Sequence, residues 1–264
     1  MRLRSIIWGL LLARQIVVAD ARPPVDYKQL IDYIKNGQTA QFKAELAGRT
    51  REDINLSGRT VLMASAIASN QADAVDALLD WGMDPNRALR LFASGEASGV
   101  TPLLLAISSR AGPDLVKRLI ARGANVNQDS EGLLPLNVAL SMQQFELAAL
   151  LLDRGAQVSA ADALMGDTPL MELSMTQSED EKALSALAKR ITGAGGNVDA
   201  QNKRGGTALM MSITSGNPVM VRILLELGAN PNIKNAKGES PLAMALRRQR
   251  EDLAGLLRQF GAQP

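Results

Sequence analysis

The chain repeats itself, and no other feature of it constrains the fold as strongly. A short phrase recurs as Arg59-Thr60-Val61-Leu62, Val100-Thr101-Pro102-Leu103, Leu133-Leu134-Pro135-Leu136, Asp167-Thr168-Pro169-Leu170, Gly206-Thr207-Ala208-Leu209 and Glu239-Ser240-Pro241-Leu242. Its second position falls at 60, 101, 134, 168, 207 and 240, in steps of 41, 33, 34, 39 and 33. A second phrase keeps step with the first: Trp81-Gly82-Met83-Asp84, Arg122-Gly123-Ala124-Asn125, Arg154-Gly155-Ala156-Gln157, Gly195-Gly196-Asn197 and Leu227-Gly228-Ala229-Asn230, with Gly261 ending the last unit. A period near 33 residues means one small supersecondary unit used again and again, each burying its apolar face against its neighbours.

Each phrase has a physical role. Thr or Ser before Pro is a helix N-cap followed by Pro at the first helical position, where the missing amide donor costs nothing. The Leu that follows points inward. Small residues such as Ala106, Ala139, Ser212 and Ala245 allow paired helices to approach closely. A second helix carries an apolar stripe of helical period, Val116, Leu119 and Ile120 in one unit and Val221, Leu224 and Leu225 in another. The closing glycine stops that helix with positive φ, and the Asn or Asp after it suits a tight turn.

Helix–turn–helix units of this period, with Thr-Pro-Leu and Gly-Ala-Asn-Val-Asn phrases, resemble the ankyrin repeat family over about residues 27–263. The resemblance implies an all-α solenoid of about seven units including caps, elongated and curved. The expected units are about 27–56, 57–89, 98–130, 131–163, 164–203, 204–236 and 237–263, within a repeat domain of 22–264. In the worn first unit Leu30, Ile31 and Ile34 belong to one helix and Phe42 and Leu46 to the next. The family's usual His after Thr-Pro-Leu is missing throughout; Met63, Leu104, Asn137, Met171, Met210 and Ala243 stand there. Weaker hydrogen bonding from turn to turn is the expected consequence, offset by apolar packing.

Residues 1–21 read as a secretory signal peptide. Arg2 and Arg4 precede an apolar run from Ile6 to Ala13, and Ala19-Asp20-Ala21 has the small-x-small cleavage pattern. The alternative is an uncleaved anchor, but the run before Arg14 falls short of the ~20 residues a spanning helix needs. The chain has 29 Lys and Arg against 27 Asp and Glu, and the leader holds three Arg and one Asp, so 26 of each remain after cleavage. Export across an inner membrane into a periplasm is the expected route, with no later span. A neutral mature chain is not drawn to nucleic acid, and 3% aromatic content leaves few platforms for stacking bases.

There is no Cys and no His, which removes disulfide scaffolds, Cys- and His-ligated metals, thiol nucleophiles and imidazole bases. No residue is a candidate for catalysis, metal binding or cofactor binding. The resemblance implies instead that another protein binds at the turn tips and the concave inner face. On this sequence the tips bring Glu131, Leu133, Lys203, Arg204, Lys237 and Glu239. Two insertions break the period, at 87–98 and 176–182. The first carries Arg87, Arg90, Leu91 and Phe92, an aromatic beside arginines, which is the composition of a binding hot spot; the alternative is that Leu91 and Phe92 fold back and fill space. The second, with Glu179-Asp180-Glu181, reads as a solvated link into a helix. Proteins resembling this one serve in bacterial envelopes as accessories to enzymes, catalase-type oxidative-stress defence among them. Others are immunity proteins that inhibit a toxin, or effectors that act as scaffolds in a host cell. The residues do not select among these partners.

Overall fold

In the computed structural model, which describes residues 25–90 and 99–263, the repeated phrase starts helices as its chemistry demands. The Thr101 hydroxyl accepts from Leu104 N (3.2 Å), Thr168 from Met171 N (3.4 Å), Thr207 from Met210 N (3.4 Å) and Ser240 from Ala243 N (3.2 Å). Two positions depart from the pattern. Leu134 sits at a helix start with no side-chain bond to give. Thr60 lies inside a helix, because Asn55 caps it first, its Oδ1 accepting from Gly58 N at 2.8 Å. With Val at 61 in place of Pro, nothing stops that helix from running through Thr60. The leader, residues 1–21, lies outside the described residues.

The described residues fall into two compact units, divided between Glu131 and Gly132. The first holds α1 (Tyr27–Lys35), α2 (Thr39–Ala47), α3 (Leu56–Ala68), α4 (Ala72–Asp80), α5 (Pro102–Ser108) and α6 (Pro113–Ala121). The second holds α7 (Pro135–Ser141), α8 (Phe145–Asp153), α9 (Pro169–Ser174), α10 (Glu181–Gly193), α11 (Ala208–Ser215), α12 (Pro218–Glu226), α13 (Pro241–Arg247) and α14 (Glu251–Gln259). Among the described residues these fourteen helices are accompanied by no strand beyond a single bridge, between Leu89 and Val100.

Within each unit the helices form two layers. In the first, α1, α3 and α5 pack in a row and α2, α4 and α6 in another, with each odd helix also against its even partner. In the second, α7, α9, α11 and α13 make one row and α8, α10, α12 and α14 the other. The predicted small residues make this possible: Ala106, Ala139, Ser212 and Ala245 are wholly buried. Leu62, Ile67, Leu78 and Leu119 seal the first core, and Leu140, Leu151, Ile191, Leu224 and Leu257 the second. Each such side chain contributes about 1.5–3 kcal/mol by leaving water.

The six closing glycines all have positive φ, between 80° and 99°. The longer link before α10 is pinned at one end: Asn217 Nδ2 donates to Ser178 O (2.8 Å) and Thr176 O (3.3 Å). Its acids stay in water, and Asp180 caps α10 by accepting from Ala183 N at 3.0 Å. The base of the other insertion is zipped by Leu89 N to Val100 O (2.8 Å) and Val100 N to Leu89 O (3.2 Å).

Candidate binding surface at the turn tips

In the second unit the turn tips are built alike. Each opens with an Asx side chain that accepts from backbone amides further along its own turn, which fixes the loop without help from the core. Asn202 Oδ1 accepts from Arg204 N (3.0 Å) and Gly206 N (2.9 Å). Asn235 Oδ1 accepts from Lys237 N (2.9 Å) and Glu239 N (3.1 Å). Asp162 takes three amides, Leu164 N and Met165 N on Oδ1 (2.7 Å each) and Asp167 N on Oδ2 (2.6 Å).

Backbone rungs then join neighbouring tips. Ala163 N donates to Gly132 O (3.1 Å), Lys203 N to Met165 O (3.0 Å) and Ala236 N to Arg204 O (3.0 Å). Side chains reinforce them: Asn202 Nδ2 donates to Asp167 Oδ1 (2.7 Å), Gln201 Nε2 to Lys234 O (3.1 Å) and Lys203 Nζ to Ala163 O (2.6 Å). Asn137, at one of the positions lacking the family's His, still ties its turn to the next, donating from Nδ2 to Asp167 O at 2.9 Å. Where the histidines are missing, Asn and Asp carry the turn-to-turn hydrogen bonds of the second unit.

The structure brings Lys203, Arg204, Lys237 and Glu239 onto adjacent tips, the three cations exposed and Glu239 half-buried. Glu239 accepts from Arg247 Nε at 2.6 Å, and that guanidinium holds its carboxyl below the ordinary range. Leu133, in the same unit, is half-buried. In the first unit Arg87, Arg90 and Glu131 are exposed, Arg87 and Arg90 beside the zipped base of the insertion. Leu91 and Phe92 lie outside the described residues.

Two features escaped sequence reading. Leu164 and Met165 are large apolar side chains left 64% and 43% exposed. The stretch from Asp162 to Gly166 is one residue longer than Asn202 to Gly205 or Asn235 to Gly238, and this extra length is the signal that marks it. The second feature is a group of carboxylates, Asp162, Asp167 and Glu172, with oxygens within 4.8 Å of one another. They resemble a cation site in composition. However, both Asp162 oxygens hold amides and Asp167 Oδ1 holds Asn202, so a metal would displace bonds that shape the tip. Burial, then the charges of Asp167 and Asp162, push the Glu172 carboxyl up to about 7, so the group is arranged to hold a proton.

On the outer helices of the first unit, Arg118 donates to Asp73 (2.6 Å), Asp76 (2.8 Å) and Asp114 (3.0 Å), and Arg122 pairs with Asp76 and Asp80. All of these but Arg118–Asp114, which lies within α6, stitch α4 to α6 and its C-terminal cap.

A family model described as "Ankyrin repeats (3 copies)" matches residues 88–162 and 170–264. The mouse B-cell lymphoma 3 protein homolog is 28% identical over 211 residues, covering 78% of this chain and 44% of that protein. Mouse Rabankyrin-5 is 31% identical over 194 residues, 70% of this chain and 16% of that protein. An ankyrin repeat-containing protein of Treponema pallidum is 32% identical over 120 residues, 45% of this chain and 38% of its own length. The chain spans less than half the length of each of these relatives. Among solved structures, the ankyrin repeat domain of Bcl-3, described as a unique member of the IkappaB protein family, superposes with a TM-score of 0.66 at 25% identity. That match covers 91% of this chain and all of that one.

Proposed function

This chain belongs to the ankyrin-repeat family, a family of protein–protein interaction modules, and from that premise we propose that it is a non-catalytic binding protein that holds a partner against its turn tips and first-helix faces. The observation that carries the reading is the tip edge of the second unit. Its loops are locked by their own Asx side chains and by backbone rungs, while the apolar and cationic groups they carry are turned to water. Such preorganised, solvent-facing chemistry favours binding because little ordering remains to be done on association. A non-catalytic role is supported by the lack of His and Cys in the sequence, and by the Asp162 and Asp167 carboxylates being spent on backbone and side-chain amides.

The leader-like residues 1–21 support a site of action in a bacterial periplasm. There, the resemblance to envelope accessories supports a role beside an oxidative-stress enzyme such as catalase. Affinity capture from envelope extract of the source organism tests both levels. The full chain is compared with Arg204→Glu/Lys237→Glu and with Arg87→Glu/Arg90→Glu. A discrete protein retained by the full chain and lost with the first variant is the expected result. Loss with the second alone would move the site to the first unit. Equal retention by all three would contradict a tip site, and a toxin in place of an enzyme would replace the accessory role with immunity.

A further inference from the structure

Resting on the reading that the tips bind protein, we infer that the tip edge of the second unit takes an acidic segment anchored by an aliphatic or aromatic side chain. Leu164 and Met165 receive the anchor and Arg204, Lys234 and Lys237 its flanking carboxylates.

The anchor end is apolar by construction. The amides of Leu164 and Met165 are held at 2.7 Å by Asp162 Oδ1, and Met165 O is held by Lys203 N. With the backbone fixed on both sides, these side chains have no route inward, and they stay 64% and 43% exposed, Leu164 being the most exposed large apolar group among the described residues. The cations follow along the same edge. Lys203 Nζ reaches back to Ala163 O and Leu164 O, at 2.6 and 3.3 Å, so a positive charge borders the apolar pair. Arg204, on the next tip, and Lys234 and Lys237, on the one after, are exposed, and among the described residues no carboxylate lies within 4.0 Å of their charged nitrogens, although Lys237 helps hold down the Glu239 carboxyl. The rung from Ala236 N to Arg204 O places those two tips side by side.

The acids on the tips over 162–167 and 235–239 are occupied. Asp162 and Asp167 are buried and spent on amides, and Glu239 is taken by Arg247. The edge therefore faces its partner as an apolar knob with a one-sided row of positive charge. A partner whose charge complements it gains encounter rate and orientation from the cations and affinity from the desolvated anchor. Leu and Met offer no stacking face, so a protein segment fits better than single-stranded nucleic acid.

The test is selection of short random peptides, displayed on phage, against the immobilised full chain. The selected peptides are then titrated against the full chain, Arg204→Glu/Lys234→Glu/Lys237→Glu and Leu164→Ser, with a random-sequence single-stranded DNA in parallel. The expected peptides are rich in Asp and Glu around Leu, Ile or Phe. Their affinity falls about tenfold or more with the charge-reversed chain and severalfold with Leu164→Ser, and raised salt weakens them. All four substituted groups are solvent-facing, and an unchanged helical signal by circular dichroism separates loss of binding from loss of fold. Neutral or basic peptides, acidic peptides indifferent to both variants, or DNA bound as tightly as the peptides would overturn the inference and leave the interaction reading standing. Enrichment of no peptide at all would overturn both.

Discussion

Two residues show how much of the second unit depends on its tips. Glu172 is half-buried beside Asp162 and Asp167, and its carboxyl is pushed from an ordinary value near 4.5 up to about 7. Because the folded value lies above the unfolded one, the stability linked to its proton is fully present below about pH 4.5 and is lost as pH rises through about 7. The span corresponds to roughly 3 kcal/mol at most. Melting measured from pH 5 to 8 should show stability falling with pH, and Glu172→Gln should flatten that slope; an unchanged slope would show that other groups set it. At Gly205 the backbone has φ of +68°, and an added Cβ would lie 2.6 Å from Ala236 N, the donor of the rung to Arg204 O. Gly205→Ala should cost about 1–3 kcal/mol, seen as a lower melting temperature. The glycine is plain in the sequence as part of a turn. Glu172 is not, because nothing in one strand of letters says that residues 162, 167 and 172 share one pocket.

Helices were the most legible element. The starts of α5, α9 and α13 follow Thr or Ser before Pro, and α4, α6, α8, α10, α12 and α14 stop just ahead of a closing glycine, because both signals act within a few residues of where they stand. Thr168→Ala should therefore cost about 1 kcal/mol in thermal unfolding. Leu134 occupies the same position without a hydroxyl, and Leu134→Thr should raise the melting temperature, a gain of about 0.5 kcal/mol after the lost packing is offset. The helix over Leu56–Ala68 shows where local signals mislead: Thr60 carries the phrase, but Asn55 caps earlier and no proline blocks the way. The ion pairs joining α4 to α6 were illegible for a different reason. Arg118 and Arg122 meet Asp73, Asp76 and Asp80 only once the outer helices stack. Asp76 is half-buried between the two guanidiniums, so Asp76→Ala should lower the melting temperature, by less at high salt than at low salt.

At the scale of the molecule, repetition explains both the fold and the surface. Each repeat leaves an apolar face that only its neighbour covers, so within each unit the helices stack in two rows. The same stacking sets tip beside tip, and single backbone rungs hold them in register in the second unit. Acids that shape the tips are drawn inward onto amides, which leaves the cations and one apolar pair to face outward. The candidate tip residues Lys203, Arg204, Lys237 and Glu239 were legible as members of turns. Leu164 and Met165 were not, since their exposure arises from one extra residue in a tip whose neighbours lack it. The most direct measurement is photo-crosslinking in the source organism with a reactive residue at Leu164 on the tip edge, and in parallel at Lys189 on an outer helix. A discrete crosslinked protein from position 164 and none from 189 is the predicted result. A discrete product from 189 with none from 164 would contradict a binding surface at the tips.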